Sequence, residues 1–178
     1  MLNGSSSNNP PDSKPSQSST LGHIRQYLDH VVKLVNFRGR LADTQDMLGH
    51  LGINVPGLAA AKRYYDALMP LVGFETFFAT DDEFSYKPAD NKPGTFLFFY
   101  PTAVDGPYSS EQTGLQHLAF IVRRRSVVEQ VHDHVVAAGG SVIYAPQPFP
   151  QYPGHYYATF WLDPFGIKLE AVCHHDRD

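Results

Sequence analysis

The feature that most constrains this chain is an internal repeat. His50-Leu-Gly-Ile-Asn-Val55 and His117-Leu-Ala-Phe-Ile-Val122 match at an offset of 67 residues, and each opens the same succession of signals. After the first copy, residues 58–69 are rich in helix formers, with Pro70 and Gly73 placed to stop the helix. Three β-like runs follow at 74–80, 83–87 and 95–100, separated by Asp81-Asp82 and by turn chemistry between Pro88 and Gly94. The second copy lies in a strand over 114–122. A helix over Ser126–Ala138 comes next, closed by Gly139-Gly140, and strands are expected at 141–146, 155–162 and 167–172. Two copies of β-α-β-β-β predict an α+β fold of paired βαβββ modules, a half-open mixed sheet around a metal-binding cleft. Each sheet has one face under a helix and the other free to line that cleft.

The repeat occupies residues 47–174 and leaves an N-terminal remainder. Residues 1–20 are Ser, Asn and Pro with almost nothing apolar, too little to offset ordering entropy, and predict a disordered tail. Within 21–46, Ile24, Leu28, Val31 or Val32, and Val35 recur at helical spacing over 21–37, predicting an amphipathic helix followed by a linker. Its docking place, on the domain, on a partner or nowhere, stays open. Cys173 is the single cysteine, which rules out an intrachain disulfide and thiolate metal cages. A net charge of −4 gives phosphates no basic surface to meet, so neither nucleic acid nor an anionic membrane is an expected partner. The Arg123-Arg124-Arg125 run is expected to end a strand in solvent. No apolar stretch is long enough to span a bilayer and no secretory leader opens the chain, so a cytoplasmic protein is expected.

Strand alternation decides which side chains share the cleft, because residues i and i+2 face one way. Leu51, Ile53 and Val55 suit the helix side, leaving His50, Gly52 and Asn54 on the other. Leu118, Phe120 and Val122 leave His117 and Ala119. Ile167, Leu169 and Ala171 leave Lys168, Glu170 and Val172. Each of His50, His117 and Glu170 alone would be an ordinary polar residue at a sheet edge. Three with matching register, two of them at equivalent repeat positions, predict a divalent metal ion held by two imidazoles and one carboxylate, with open positions for substrate or water.

The sequence resembles the vicinal-oxygen-chelate superfamily, which includes glyoxalase I, bleomycin-resistance proteins, fosfomycin-resistance enzymes and extradiol dioxygenases. The resemblance is carried by Gly49-His50-Leu51-Gly52-Ile53-Asn54-Val55, by Gln116-His117-Leu118-Ala119-Phe120, and above all by Leu162-Asp163-Pro164-Phe165-Gly166-Ile167-Lys168-Leu169-Glu170. It implies Lewis-acid chemistry on a metal-bound substrate, a small-molecule substrate and a homodimer. Glyoxalase I takes a fourth ligand, a Glu on its fourth strand, at a position occupied here by Phe98, which can neither ligate nor act as a base. The extradiol dioxygenases match the triad better, although their Tyr ten residues before the Glu corresponds to Phe160. The phosphonate site of the fosfomycin-resistance enzymes needs Lys and Arg, and the loop Tyr144–His155 has neither.

The resulting expectation is a metal-dependent enzyme acting on a small aromatic or apolar oxygenated substrate, most like a non-haem dioxygenase. The metal would be Fe²⁺ by preference, with Mn²⁺, Zn²⁺ or Ni²⁺ as substitutes. Asn54, Phe98, Tyr100, Tyr156 and Phe160 are expected to bind substrate, and His155 to act in acid–base catalysis. His174 and His175, beyond the last strand, are expected in solvent. The rivals are a metal-dependent lyase or isomerase of glyoxalase type working through an enolate, and a bleomycin-resistance-like protein that sequesters a ligand without catalysis.

Overall fold

The computed structural model describes residues 48–104 and 106–175. The predicted tail over 1–20 and the helix and linker over 21–46 lie outside them. The first module runs β1 (His50–Val55), α1 (Leu58–Leu68), β2 (Phe74–Ala79), β3 (Phe84–Pro88) and β4 (Phe96–Pro101). The second runs β5 (Leu118–Ile121), α2 (Arg125–Ala137), β6 (Ser141–Pro148), β7 (Tyr157–Leu162) and β8 (Lys168–Cys173). Both modules make a four-stranded sheet in the same spatial order, β1-β4-β3-β2 and β5-β8-β7-β6. In each, the first and last strands pair in parallel at one end and the remaining pairs are antiparallel, so the two open mixed sheets expected from the repeat are present.

The helices form where periodicity places them. Helix α1 buries Ala61, Tyr65 and Leu68, and α2 buries Val128, Val131 and Val135, each along one stripe. Helix α1 runs into a 3₁₀ turn over Met69–Val72 that ends at Gly73, whose φ of 84° lies in the left-handed region. Helix α2 closes on Gly139 and Gly140, whose N–H groups donate to Val136 at 3.0 Å and Val135 at 2.8 Å.

One continuous core joins the two modules on their helix-bearing sides. Ile53, Val55, Tyr65, Leu97 and Phe99 of the first belong to the same cluster as Phe120, Val128, Trp161, Leu169 and Ala171 of the second. Polar staples cross the same seam: Tyr65 Oη donates to Asp163 Oδ2 at 2.8 Å, and Trp161 Nε1 donates to Tyr64 Oη at 2.7 Å. The opposite faces do not merge within the chain. Phe149, Ala158, Phe160 and Val172 make a separate small core on the second sheet, and Phe98 belongs to neither cluster. Alternation along each strand was enough to predict which residues face the helices, but not how the modules dock.

Strand β5 is shorter than the 114–122 expected. Leu118 pairs in parallel with Leu169 and β8 starts at Lys168, so the residues before 118 face the turn rather than a strand; there Tyr108 Oη donates to the carbonyl of Leu115 and, at 3.4 Å, to that of Gln116. The last strand begins where the Asp-Pro-Phe-Gly turn predicted. Asp163 Oδ1 accepts from the N–H of Phe165 at 2.9 Å and of Ile167 at 2.8 Å. Gly166 takes the φ of 86° that lets the chain reverse.

Candidate metal centre

Glu170 sits in the middle of β8, paired with Ala119 on one side and Phe160 on the other. Strands on both flanks leave the side chain fully buried. Its two oxygens have different surroundings. Oε1 accepts a short hydrogen bond from Tyr156 Oη. Oε2 is buried and has no hydrogen-bond donor. The imidazole Nε2 of His117 lies 3.1 Å from Oε2, within ion-pair distance but outside hydrogen-bonding alignment. The other ring nitrogen, Nδ1, makes a short hydrogen bond to the side-chain oxygen of Gln116. Since that oxygen can only accept, Nδ1 donates to it, and a neutral ring with its proton there presents a lone pair at Nε2.

With the ring neutral, Nε2 and the buried carboxylate oxygen 3.1 Å away are two lone pairs that repel each other unless a cation, a proton or a metal ion, lies between them. The spacing is close to that of adjacent ligands on a small divalent cation, about 3 Å for bonds of about 2.1 Å. The imidazole, oriented by Gln116, and the carboxylate, oriented by Tyr156, are the donor types such a cation takes. The residues present therefore fit a divalent metal.

His50 does not join this pair within the chain. It lies on an exposed stretch of β1, its ring edge-on to Phe98 at 5.7 Å. Among the described residues no three His, Cys, Asp or Glu side chains gather in a metal-holding group. Of His50, His117 and Glu170, the structure brings His117 and Glu170 side by side. Phe98, which His50 meets edge-on, and Phe160, paired with Glu170, share no hydrophobic cluster.

The expected substrate residues divide along the same line. Tyr156 and Phe160 stand beside Glu170 and His117, with Phe160 edge-on to the His117 ring at 6.0 Å. Phe98 and Tyr100 stack at 6.3 Å on the first sheet, near His50. Asn54 lines an open cavity of about 330 Å³ with Tyr108, Gln112, Thr113 and Ile167. His155 is exposed in the turn before β7 and makes no hydrogen bond, ion pair or ring contact with a described residue; its neighbour Tyr156 reaches Glu170 instead.

Sequence reasoning missed much of the wall around the carboxylate. Phe149 packs on Phe160 at 5.3 Å and Tyr144 on both. Lys168 holds its ammonium 5.4 Å over the Phe160 ring. His174, expected in solvent, is half-buried and edge-on to Tyr156 at 4.9 Å, whereas His175 is exposed. The signal for His174 was available, since Glu170, Val172 and His174 share one face by alternation. Burial, then the hydrogen bond to Glu170, then the nearby charge push the Tyr156 hydroxyl well above its usual range, so it stays a donor.

The parallel pairs of the two sheets also correspond in register. Gly52 and Ala119 are 67 positions apart, and their partners across the parallel pair are Phe98 and Glu170. Phe98 therefore holds in the first sheet the place of the carboxylate in the second. Residues 47–171 match the sequence profile of the glyoxalase/bleomycin resistance protein/dioxygenase superfamily. The chain belongs to that superfamily. Its members include metalloenzymes and non-catalytic resistance proteins, and members bind small molecules. Among its relatives, the uncharacterized Bacillus subtilis protein YqjT is 28% identical over 128 residues, 70% of this chain and 96% of that one. A glyoxalase-type protein from Bacillus halodurans, known from a crystal structure, is 32% identical with a TM-score of 0.63, over 72% of this chain and 96% of that one. The fosfomycin resistance protein FosX of Listeria monocytogenes shares the fold, with a TM-score of 0.53 at 15% identity over 73% of this chain and 94% of that one. No helix among the described residues is long and apolar enough to cross a membrane.

Proposed function

We propose that this superfamily member is a metal-dependent enzyme acting on a small, aromatic or apolar oxygenated molecule, most like a non-haem dioxygenase. The observation that carries the proposal is the buried Glu170 Oε2, without a hydrogen-bond donor and 3.1 Å from the Nε2 nitrogen of His117. His117 and Glu170 would hold the metal, Fe²⁺ by preference. Bound there, it would supply Lewis acidity and, if iron, redox chemistry toward dioxygen.

The third ligand in this reading is His50 of the partner subunit of a homodimer. The β1 face bearing His50, Gly52 and Asn54 is exposed, as are Ala119 and Ile121 beside His117, so two copies related by a twofold axis could bring the faces together twice. Phe98 and Tyr100 would then enter the same cleft as Phe160 and Tyr156. The aromatic rings would exclude water and orient a planar substrate, and the Tyr156 hydroxyl would hold the carboxylate. With Phe98 in place of a fourth ligand, two His and one carboxylate leave positions open for substrate oxygens and a further small ligand.

Activity is tested by loading the protein with Fe²⁺ under anaerobic conditions and adding a panel of catechols and enolisable diketones, with oxygen uptake followed against substrate loss. Matched loss of oxygen and a catechol is expected. Substrate loss without oxygen uptake, equally fast with Zn²⁺, would turn the assignment toward lyase or isomerase chemistry. Tight ligand binding without turnover under any metal would make it a sequestering protein. The shared site is tested by mixing H50A and E170A chains. Random re-pairing makes about half the dimers mixed, each with one intact site of two, so about a quarter of sites should regain metal and activity. No recovery, with exchange of chains verified, refutes a site shared in this way.

A further inference from the structure

The unequal surroundings of the two Glu170 oxygens set how that carboxylate can act. Tyr156 lies one residue before β7, where strand register puts it opposite His174, four residues along β8 from Glu170. That is about 13 Å along the strand, a gap that a tyrosine and a glutamate leaning toward each other can close and that a shorter side chain would leave open. The phenol ring is held on three sides: tilted against Tyr152 at 4.7 Å, edge-on to His174 at 4.9 Å and edge-on to Phe149 at 6.1 Å. The backbone is pinned too, since Phe149 N–H donates to the Tyr156 carbonyl at 2.8 Å. A donor fixed this firmly keeps Oε1 engaged.

We propose that Tyr156 is a positioning residue that makes Glu170 a one-oxygen metal ligand: its hydroxyl occupies Oε1 and leaves only Oε2, beside His117 Nε2, to bind the ion. This rests on the metal reading of His117 and Glu170. A carboxylate bound through both oxygens would take two coordination places; bound through one, it leaves an additional place for substrate. Tyr156 thereby determines how many open positions the centre has, and the hairpin between β6 and β7 that carries it becomes part of the metal site although it supplies no ligand.

The experiment uses the full chain and Co²⁺ as the probe. Wild type, Y156F and Y157F are titrated with Co²⁺ by calorimetry, and the visible spectrum of the bound ion is recorded. Y157F is the control, because Tyr157 also donates to a carboxylate, that of Glu129 on α2, away from the site. Y156F is expected to bind Co²⁺ about 10–100-fold more weakly. Its visible bands are also expected to weaken as Glu170 turns to bind through both oxygens and the coordination number rises. Y157F should match wild type in both. A second measurement needs no variant at position 156 and decides the matter if Y156F does not fold. The infrared difference spectrum of wild type on Co²⁺ loading, with E170Q to assign the bands, should show the wide carboxylate splitting of one-oxygen binding. Equal affinity and equal spectra for wild type and Y156F, or the narrow splitting of two-oxygen binding in wild type, overturn the proposal while the metal site stands. Wild type that takes up no Co²⁺ overturns the metal site and this proposal together.

Discussion

Replacing Asp163 by Ala should destabilise the domain far more than removal of one small side chain suggests. Asp163 is buried and accepts three hydrogen bonds: from Tyr65 Oη at 2.8 Å, Phe165 N–H at 2.9 Å and Ile167 N–H at 2.8 Å. Tyr65 and Ile167 are themselves buried, so water cannot replace the lost acceptor, whereas Phe165 is half-buried and can be rehydrated. Two orphaned donors at about 1–3 kcal/mol each give about 2–6 kcal/mol, lowered somewhat because the desolvation cost of the carboxylate disappears with it. Urea denaturation of wild type, D163A, Y65F and the double variant measures this. Coupling between Tyr65 and Asp163 should exceed about 0.5 kcal/mol. A loss below about 1 kcal/mol for D163A, or additivity in the cycle, refutes the idea that this carboxylate staples α1 to the turn before β8. The same group gives a pH dependence of known sign. Burial, its largest influence, raises the Asp163 carboxyl above the usual range, against the opposing hydrogen bonds from Tyr65 and the turn backbone. The folded state therefore binds the proton more tightly than the unfolded one. The resulting stabilisation is full below the unfolded value of about 4 and is lost as pH rises through the folded value. Relative to D163N, wild type should lose stability between about pH 4 and the folded value, and parallel stability curves would contradict the assignment.

Two further outcomes follow from the structure. H117A and E170A should each lose bound metal severely, beyond the 10–100-fold expected of an outer-sphere change, because a three-ligand site has no spare donor; full metal content in both, read by elemental analysis, places the site elsewhere. A chain beginning at Met47 should fold and bind metal, since the family match begins there. Aggregation, or a loss of several kcal/mol in urea denaturation, would make the N-terminal segment part of the fold.

Much of the architecture was legible because local physics decides it. Alternating side chains in β1, β5 and β8 assigned Ile53, Val55, Phe120, Leu169 and Ala171 to the helix side, and all of them lie in the core. The Asp-Pro-Phe-Gly turn set the register of β8, and with it the inward position of Glu170. Repeat alignment put Phe98 where the second module has Glu170, and the pairing of Gly52 with Phe98 and Ala119 with Glu170 agrees. What escaped were contacts made between elements distant in sequence. Tyr108 reached the Leu115 carbonyl before β5, and Tyr156 reached Glu170 across a hairpin.

The sequence by itself therefore determined the repeat, the strand faces and the identity of the polar residues on them, since period and turn chemistry act over a few neighbouring residues. Only the tertiary structure decided how the two modules dock, and that separated His50 from His117 and Glu170 within the chain. The physical reason is that docking depends on the shapes of two finished layers. Tyr64 and Tyr65 of α1 meet Trp161 and Asp163, which joins the helix-bearing sides and leaves Phe98 of the first sheet and Phe160 of the second outside that common core.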